Sequence, residues 1–150
     1  MPFRTSATTP ARILTAAADH IERVGLYQGD ELWQPGEASD AAPCTVLYAW
    51  ERSVRAARPS ESAGEEAWEV FHGTFMDSLV VLSDHMNERP VQGRRWRELG
   101  LMEDSYRCLM VWCWGNEPGR TAGEAVAVLR AAAHVYRSGG DRCGGGCPGD

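Results

Sequence analysis

The chain has 150 residues, 43% of them hydrophobic and 24% charged, which excludes a disordered or fibrous chain and allows one domain able to bury about 70% of its unfolded surface without a disulfide or metal. Its 15 basic residues, all of them Arg, stand against 21 acids for a net charge of −6; that balance disfavours nucleic-acid backbones as partners, and the lack of Lys excludes Schiff-base chemistry. No apolar run approaches the roughly 18 residues of a membrane span, and the opening MPFRTSATTPARIL has no apolar signal core, so no membrane association and a cytoplasmic location are expected.

Residues 1–8 read as a loose lead-in. Thr9 before Pro10 suits an N-cap followed by the first helical position. From Ala11 to Val24, the residues Ile13, Leu14, Ala17, Ala18, Ile21 and Val24 fall within an arc of about 140°. Arg12, Asp19, Glu22 and Arg23 lie opposite. Gly25 is expected to end this helix in a left-handed conformation, with Leu26 packing back. Residues 27–43 then form a long loop punctuated by Gly29, Pro35 and Gly36. It carries Tyr27 and Trp33, which either fold over the helix ends as a lid or contact a ligand.

A second helix is expected from Pro43 to about Arg58, stopped by Pro59. Val46, Leu47, Trp50, Val54 and Ala57 share one face, Cys44 and Tyr48 lie beside it, and Glu51 with Arg55 forms an i,i+4 pair. A third runs from about Glu65 to Met86, where Trp68, Phe71, Phe75, Leu79, Leu82 and Met86 fall within about 80°. Residues 87–102 read as a linker with one short turn. The following SYRCLMVWCWG is apolar nearly all round: Tyr106, Leu109, Met110 and Cys113 share a face, while Val111, Trp112 and Trp114 cover others. Such a helix is central to the core or has a second partner. A buried strand is the competing reading, but no other convincing strand exists for it to pair with. The last helix opens on a capping box, Thr121 and Glu124, and runs through Arg137 with Ala125, Val126, Leu129, Ala132, Ala133 and Tyr136 on one side. The tail 138–150, with six Gly, is expected to be flexible. The expected architecture is an all-α, single-domain bundle of about five helices over residues 9–137, followed by a Gly/Cys-rich tail.

Two stretches carry a family resemblance. AAADHIERVGLYQGD followed by PCTVLYAWERSVRAA resembles the opening of an actinobacterial domain family of unknown function. Its members tend to read Gly-aromatic-x-Gln-Gly after the first helix and then a Cys-led, Ala-rich helix. WGNEPGRTAGEAVAVLRAAA resembles the same family's closing motif, Trp-Asn-Asp-x-x-Gly-Arg-Thr-x-x-Glu-Val, at Trp114, Gly119, Arg120, Thr121 and Glu124. Gly115 and Asn116 stand where the family has Asn-Asp, and Leu47 stands where it usually has Gly. The resemblance implies a small helical domain and assigns no chemistry.

Pro118-Gly119 makes a turn and Thr121 with Glu124 caps a helix, which leaves Arg120 to explain. A cation just before a helix N-terminus gains nothing from the dipole. It needs a carboxylate, either Glu117 or an acid of the third helix, or else it meets a ligand or partner. Cys143 and Cys147 form C-x3-C in the Gly-rich tail, a spacing able to hold zinc or another soft metal or to pair oxidatively. Four ligands are normally required, His134 is the nearest other candidate, and five Cys leave one unpaired. The plainer reading is a tail with two incidental thiols. Glu69 and His72 have the Glu-x-x-His spacing of di-iron bundles; no second pair exists, so an exposed acid beside a flanking His is the plainer reading. His20, His85 and His134 read as surface histidines. Arg94-Arg95-Trp96-Arg97 suits base stacking, and equally an intramolecular or homodimer contact with residues 61–90, which hold seven acids and one Arg.

Six Trp is many for this length. Trp50 and Trp68 fit core stripes, whereas Trp33, Trp96, Trp112 and Trp114 do not all fit one small core, and surplus apolar surface points to a partner or ligand. The sequence thus favours a non-catalytic binding or interaction module for a small apolar or anionic molecule or a protein partner. Its site is expected where Tyr27 and Trp33, the Trp112/Trp114 segment and the turn from Asn116 to Arg120 meet, with Arg120 orienting an anion or carboxylate. The alternatives are a thiol or metal-handling protein acting through Cys143 and Cys147, and a carboxylate–His metalloenzyme around Glu69 and His72.

Overall fold

The structure is a computed structural model that describes residues 8–29, 41–87 and 93–140, with side chains for all but 93–95 and 136–140. Helix α1 spans Pro10–Val24, and its start is fixed as the sequence predicts: the Arg12 amide donates to Thr9 Oγ1 at 3.3 Å. Gly25 ends it with φ 93° and ψ 168°. That is an extended positive-φ conformation and not the left-handed helical one, but it needs glycine all the same. The chain leaves as a short extended piece. The Tyr27 amide donates to the Cys44 carbonyl at 2.9 Å and the Cys44 amide to the Gly25 carbonyl at 3.3 Å, a single parallel bridge between Leu26 and Cys44.

That bridge claims Pro43 and Cys44 as extended chain, so α2 runs Val46–Ala56 and not from Pro43. Its N-cap is Thr45, whose hydroxyl accepts from the Tyr48 amide at 3.1 Å. Helix α3 spans Glu65–Met86 as expected. The short turn in the linker is α4, Gly93–Glu98, which makes six helices among the described residues. Helix α5 spans Glu103–Gly115, and α6 spans Ala122–Gly140. The backbone of α6 continues beyond Arg137 because Ser and Gly only weaken a helix, by roughly 1 kcal/mol per Gly, and no Pro stands there to stop it.

Helix α1 lies at the centre, against α6, α2 and α3. Its apolar arc is sealed: Ile13, Leu14, Ala17, Ala18 and Ile21 are buried, facing Val126, Leu129 and Ala133 of α6 and Leu47, Trp50 and Val54 of α2 in one core. Across the surface edge, Arg130 of α6 bonds to Asp19 and Glu22 of α1, an exposed pairing worth little. Trp50 fills the middle, its indole N–H donating to Ser78 Oγ at 3.0 Å and its ring 5.2 Å from that of Phe75. One expectation is corrected here. His20 is 3% exposed and not a surface residue, because it stands one step outside the apolar arc and the α1 interface is wider than that arc. Its Nδ1 meets the Arg23 guanidinium at 2.9 Å.

Two helices are packed on only part of their apolar surface. In α3, Leu79, Leu82 and Met86 are buried, while no residue from 59 to 77 is. The stripe is therefore correct, but its first half, with Trp68 and Phe71, is only half covered. In α5 the inward residues are Arg107, Val111 and Gly115. Arg107, 4% exposed, donates to Ser83 Oγ at 2.7 Å, to Asp84 at 2.8 Å and to Glu103 at 3.0 Å, and its guanidinium lies over the Trp96 ring. On the other side Leu109 and Cys113 are exposed, while Met110 is half-buried and Tyr106, also half-buried, has its ring 6.3 Å from that of Trp96 in α4, so α5 is not the centre of the core.

Candidate functional site

The two stretches that carry the family resemblance meet in space. The extended exit from α1 lies against the α5–α6 turn, and Gln28 ties them. Its side-chain amide donates to the carbonyls of Gly115 at 3.0 Å and Glu117 at 2.8 Å. The Gly29 amide returns a bond to Asn116 Oδ1 at 2.9 Å, with the Tyr27 ring folded against Gly29. Among the described residues no acceptor reaches the buried Asn116 Nδ2. Gly115 touches α2: a Cβ there would stand 3.1 Å from Val46 Cγ2, a packing reason for glycine where the resembling family has Asn. Of the residues expected to form a cleft, Tyr27, Trp114, Asn116 and Arg120 are brought together. Trp112 points to another side of α5, and Trp33 lies outside the described residues.

Arg120 finds the Glu117 that the sequence offered it. Its NH2 donates to Glu117 at 2.6 Å, NH1 to Glu124 at 3.1 Å and Nε to the Trp114 carbonyl at 3.1 Å, and the guanidinium stacks 3.8 Å above the Trp114 ring. Every guanidinium nitrogen thus has a protein acceptor, and one cation beside two carboxylates leaves the cluster net negative. Glu124 also closes the capping box: its amide donates to Thr121 Oγ1 at 3.1 Å and its carboxylate accepts from the Thr121 amide at 3.3 Å. Bonds from Arg120 and Thr121 hold its carboxyl below the usual range. A site of this charge does not attract an anion. The geometry makes Arg120 the clasp of the α5–α6 turn.

Elsewhere, burial pushes the Cys44 thiol up to about 11, and burial with the charges of Glu51 and Asp104 does the same for Cys108; both are poor nucleophiles and poor metal ligands. Glu69 and His72 are exposed, and among the described residues no three His, Cys, Asp or Glu side chains gather as a metal would need. Cys143 and Cys147 lie outside the described residues, as do the side chains of Arg94 and Arg95. Arg23, Val24, Ala41 and Arg52 line an open recess of about 490 Å³ between α1 and α2. No described helix is long and apolar enough to cross a membrane.

The outward side of α5 is the surface that the helical wheel left undecided. Met102, just before the helix, is 74% exposed and Leu109 is 40% exposed. With exposed Cys113 they fall within about 40° of one another around the helix. Leu99 and Leu101, in the turn before it, are exposed as well, and half-buried Trp112 borders the stripe.

Sequence reasoning missed Gln28, whose only signal was its place in the Gln-Gly pair, and missed the inward role of Arg107. The sequence profile of a family of unknown function (DUF6197) matches residues 5–135. No curated protein and no solved structure matches the chain.

Proposed function

The chain belongs to that family, and from this premise we propose that it is a non-catalytic interaction module that takes a protein partner on the outward face of α5. The observation that carries this is the line of exposed apolar side chains, Met102, Leu109 and Cys113, continued by Leu99 and Leu101. A helix apolar on both sides and packed on one has a face that the fold itself does not use. Met and aromatic side chains, here Met102 and Trp112, are the types enriched in interface cores. The test is a photo-crosslinking amino acid placed at Leu109 in the producing cell. It gives a discrete adduct, and the same probe at exposed Ala127 on α6 gives none. Equal, diffuse labelling from both positions removes the proposal.

A small anionic ligand is the second reading. It is favoured by the recess between α1 and α2, where Arg23 and Arg52 stand together, and not by Arg120. A melting shift with inorganic phosphate or small dicarboxylates that vanishes in Arg52→Gln supports it, and no shift with any anion ends it. The thiol or soft-metal reading rests on Cys143 and Cys147 alone; unchanged stability on chelation and an empty metal analysis end that one. An actinobacterial, cytoplasmic setting goes with the main reading. It is supported by the two motifs and by the free thiols of Cys44, Cys108 and Cys113, which suit a reducing compartment.

A further inference from the structure

Helix α5 carries its charge on the opposite side from an ordinary surface helix. Its three charged residues, Glu103, Asp104 and Arg107, fall within about 100° around the axis, on the side of the inward Val111 and Gly115. Arg107 is spent within the fold on Glu103, Ser83 and Asp84. The opposite arc of about 160°, from Trp112 round to Met110, holds no charged residue of the helix. An amphipathic surface helix shows the reverse, with charge outward and apolar side chains inward.

Along the middle of that arc Met102, Tyr106, Leu109 and Cys113 follow one another at steps of four, three and four residues, the spacing of a coiled-coil seam. Met102, Leu109 and Cys113 are exposed, and Tyr106 is half-buried with its ring 6.3 Å from that of Trp96. The seam is complementary to itself. Laid antiparallel about its midpoint, between Arg107 and Cys108, it sets Met102 of one copy opposite Cys113 of the other, and Tyr106 opposite Leu109. Each layer then joins a larger side chain to a smaller one, as interdigitating cores do. Although each chain carries a net charge of −6, this pairing brings no like charges of the two helices face to face.

We infer that the partner on the outward face of α5 is a second copy of this chain, with the two α5 helices packed antiparallel about a two-fold axis. The same face serves both copies, so the assembly closes at two and does not grow into a fibre. Met102, Leu109 and Cys113, with Leu99 and Leu101 in the preceding turn, are exposed; they offer about 400 Å² in each copy, or on the order of 1,000 Å² in all with the half-buried flanks, the lower edge for a specific interface. The dimer is therefore a weak one, with a micromolar dissociation constant. The inference rests on the reading of this face as a partner surface.

Sedimentation equilibrium and disulfide trapping of the full chain test it. The wild type shows a monomer–dimer equilibrium that salt does not weaken, since no charge pair holds it. Leu109→Glu, at a 40% exposed position, keeps the helical circular dichroism and raises the dissociation constant roughly 30-fold or more. The register is read in a Cys143→Ser/Cys147→Ser background. With Met102→Cys added, oxidised glutathione links two copies through positions 102 and 113. Cys113 alone links none, because antiparallel packing holds the two Cys113 roughly 16 Å apart along the axis. A wild type that stays monomeric at millimolar concentration overturns the inference, as does a dimer that Leu109→Glu leaves intact or a linked dimer formed by Cys113 alone. If the probe at Leu109 crosslinks only to a protein other than this chain, the second copy is wrong while the partner surface stands; if it crosslinks to nothing, both fall.

Discussion

Helices α1 and α5 are similar in their supply of apolar residues and opposite in how those residues are spent. In α1 the apolar side chains share one face and that face is sealed by α6, α2 and α3. In α5 they surround the helix, and the side taken into the bundle is led by a charged residue, Arg107, beside Val111 and Gly115. A narrow apolar arc decides its own orientation. A helix greasy all round does not, and there the polar network chooses which side faces in and leaves Leu109 and Cys113 exposed on the other.

The largest expected effect belongs to α1. Leu14→Ala removes a side chain that is 0% exposed and is expected to cost about 3 kcal/mol in denaturant unfolding; a loss below roughly 1 kcal/mol would show that the α1 interface is loosely packed. At the junction, Gln28→Ala strips the donor from two backbone carbonyls and is expected to cost about 1 kcal/mol. No loss at all would mean that solvent replaces both bonds. Thiol alkylation contrasts the two sides of α5 and the core without any substitution. Of Cys44, Cys108 and Cys113, only the exposed Cys113 is expected to react readily in the folded protein, and mass spectrometry of each peptide reads the order. Fast labelling of buried Cys44 would contradict the packing around the Leu26–Cys44 bridge.

The smallest effect is on pH. The Glu124 carboxyl sits below its ordinary value of 4.5, so its stabilising contribution is complete above that value and is lost as the pH falls through the lower, folded one. Glu124→Gln should flatten the acid side of the stability profile and leave its shape above neutrality unchanged. An identical acid limb in the variant would remove Glu124 from the clasp.

Much of the fold is legible in the residues. Thr9-Pro10, the Thr121–Glu124 box and the Glu65–Met86 stripe each carry a local signal strong enough to place a helix. The missed boundary at Val46 has a non-local cause, since Cys44 is drawn into an extended bridge with Leu26 that no window around Pro43 reveals. The burial of His20 is not legible in the helical wheel because interface width is set by the neighbouring helices and not by the helix itself. Arg107 is not legible as an inward residue because a charge on a helix ordinarily faces water, and its burial is acceptable only because Ser83 and Asp84 of α3 converge on it alongside Glu103, one turn back on α5. The candidate site was half legible: Tyr27, Trp114, Asn116 and Arg120 do converge. The sequence could not weigh two carboxylates against one guanidinium, however, so the anion-binding role expected of Arg120 gives way to a structural one.

The account depends on the outward face of α5 being unnecessary to the fold. Denaturant unfolding of Met102→Gln/Leu109→Gln tests that directly, Gln being chosen to keep helical propensity. Stability within about 0.5 kcal/mol of the wild type, together with loss of the adduct from the adjacent position 113, is the expected result. A loss of about 2 kcal/mol or more would place that face inside the molecule and contradict the account.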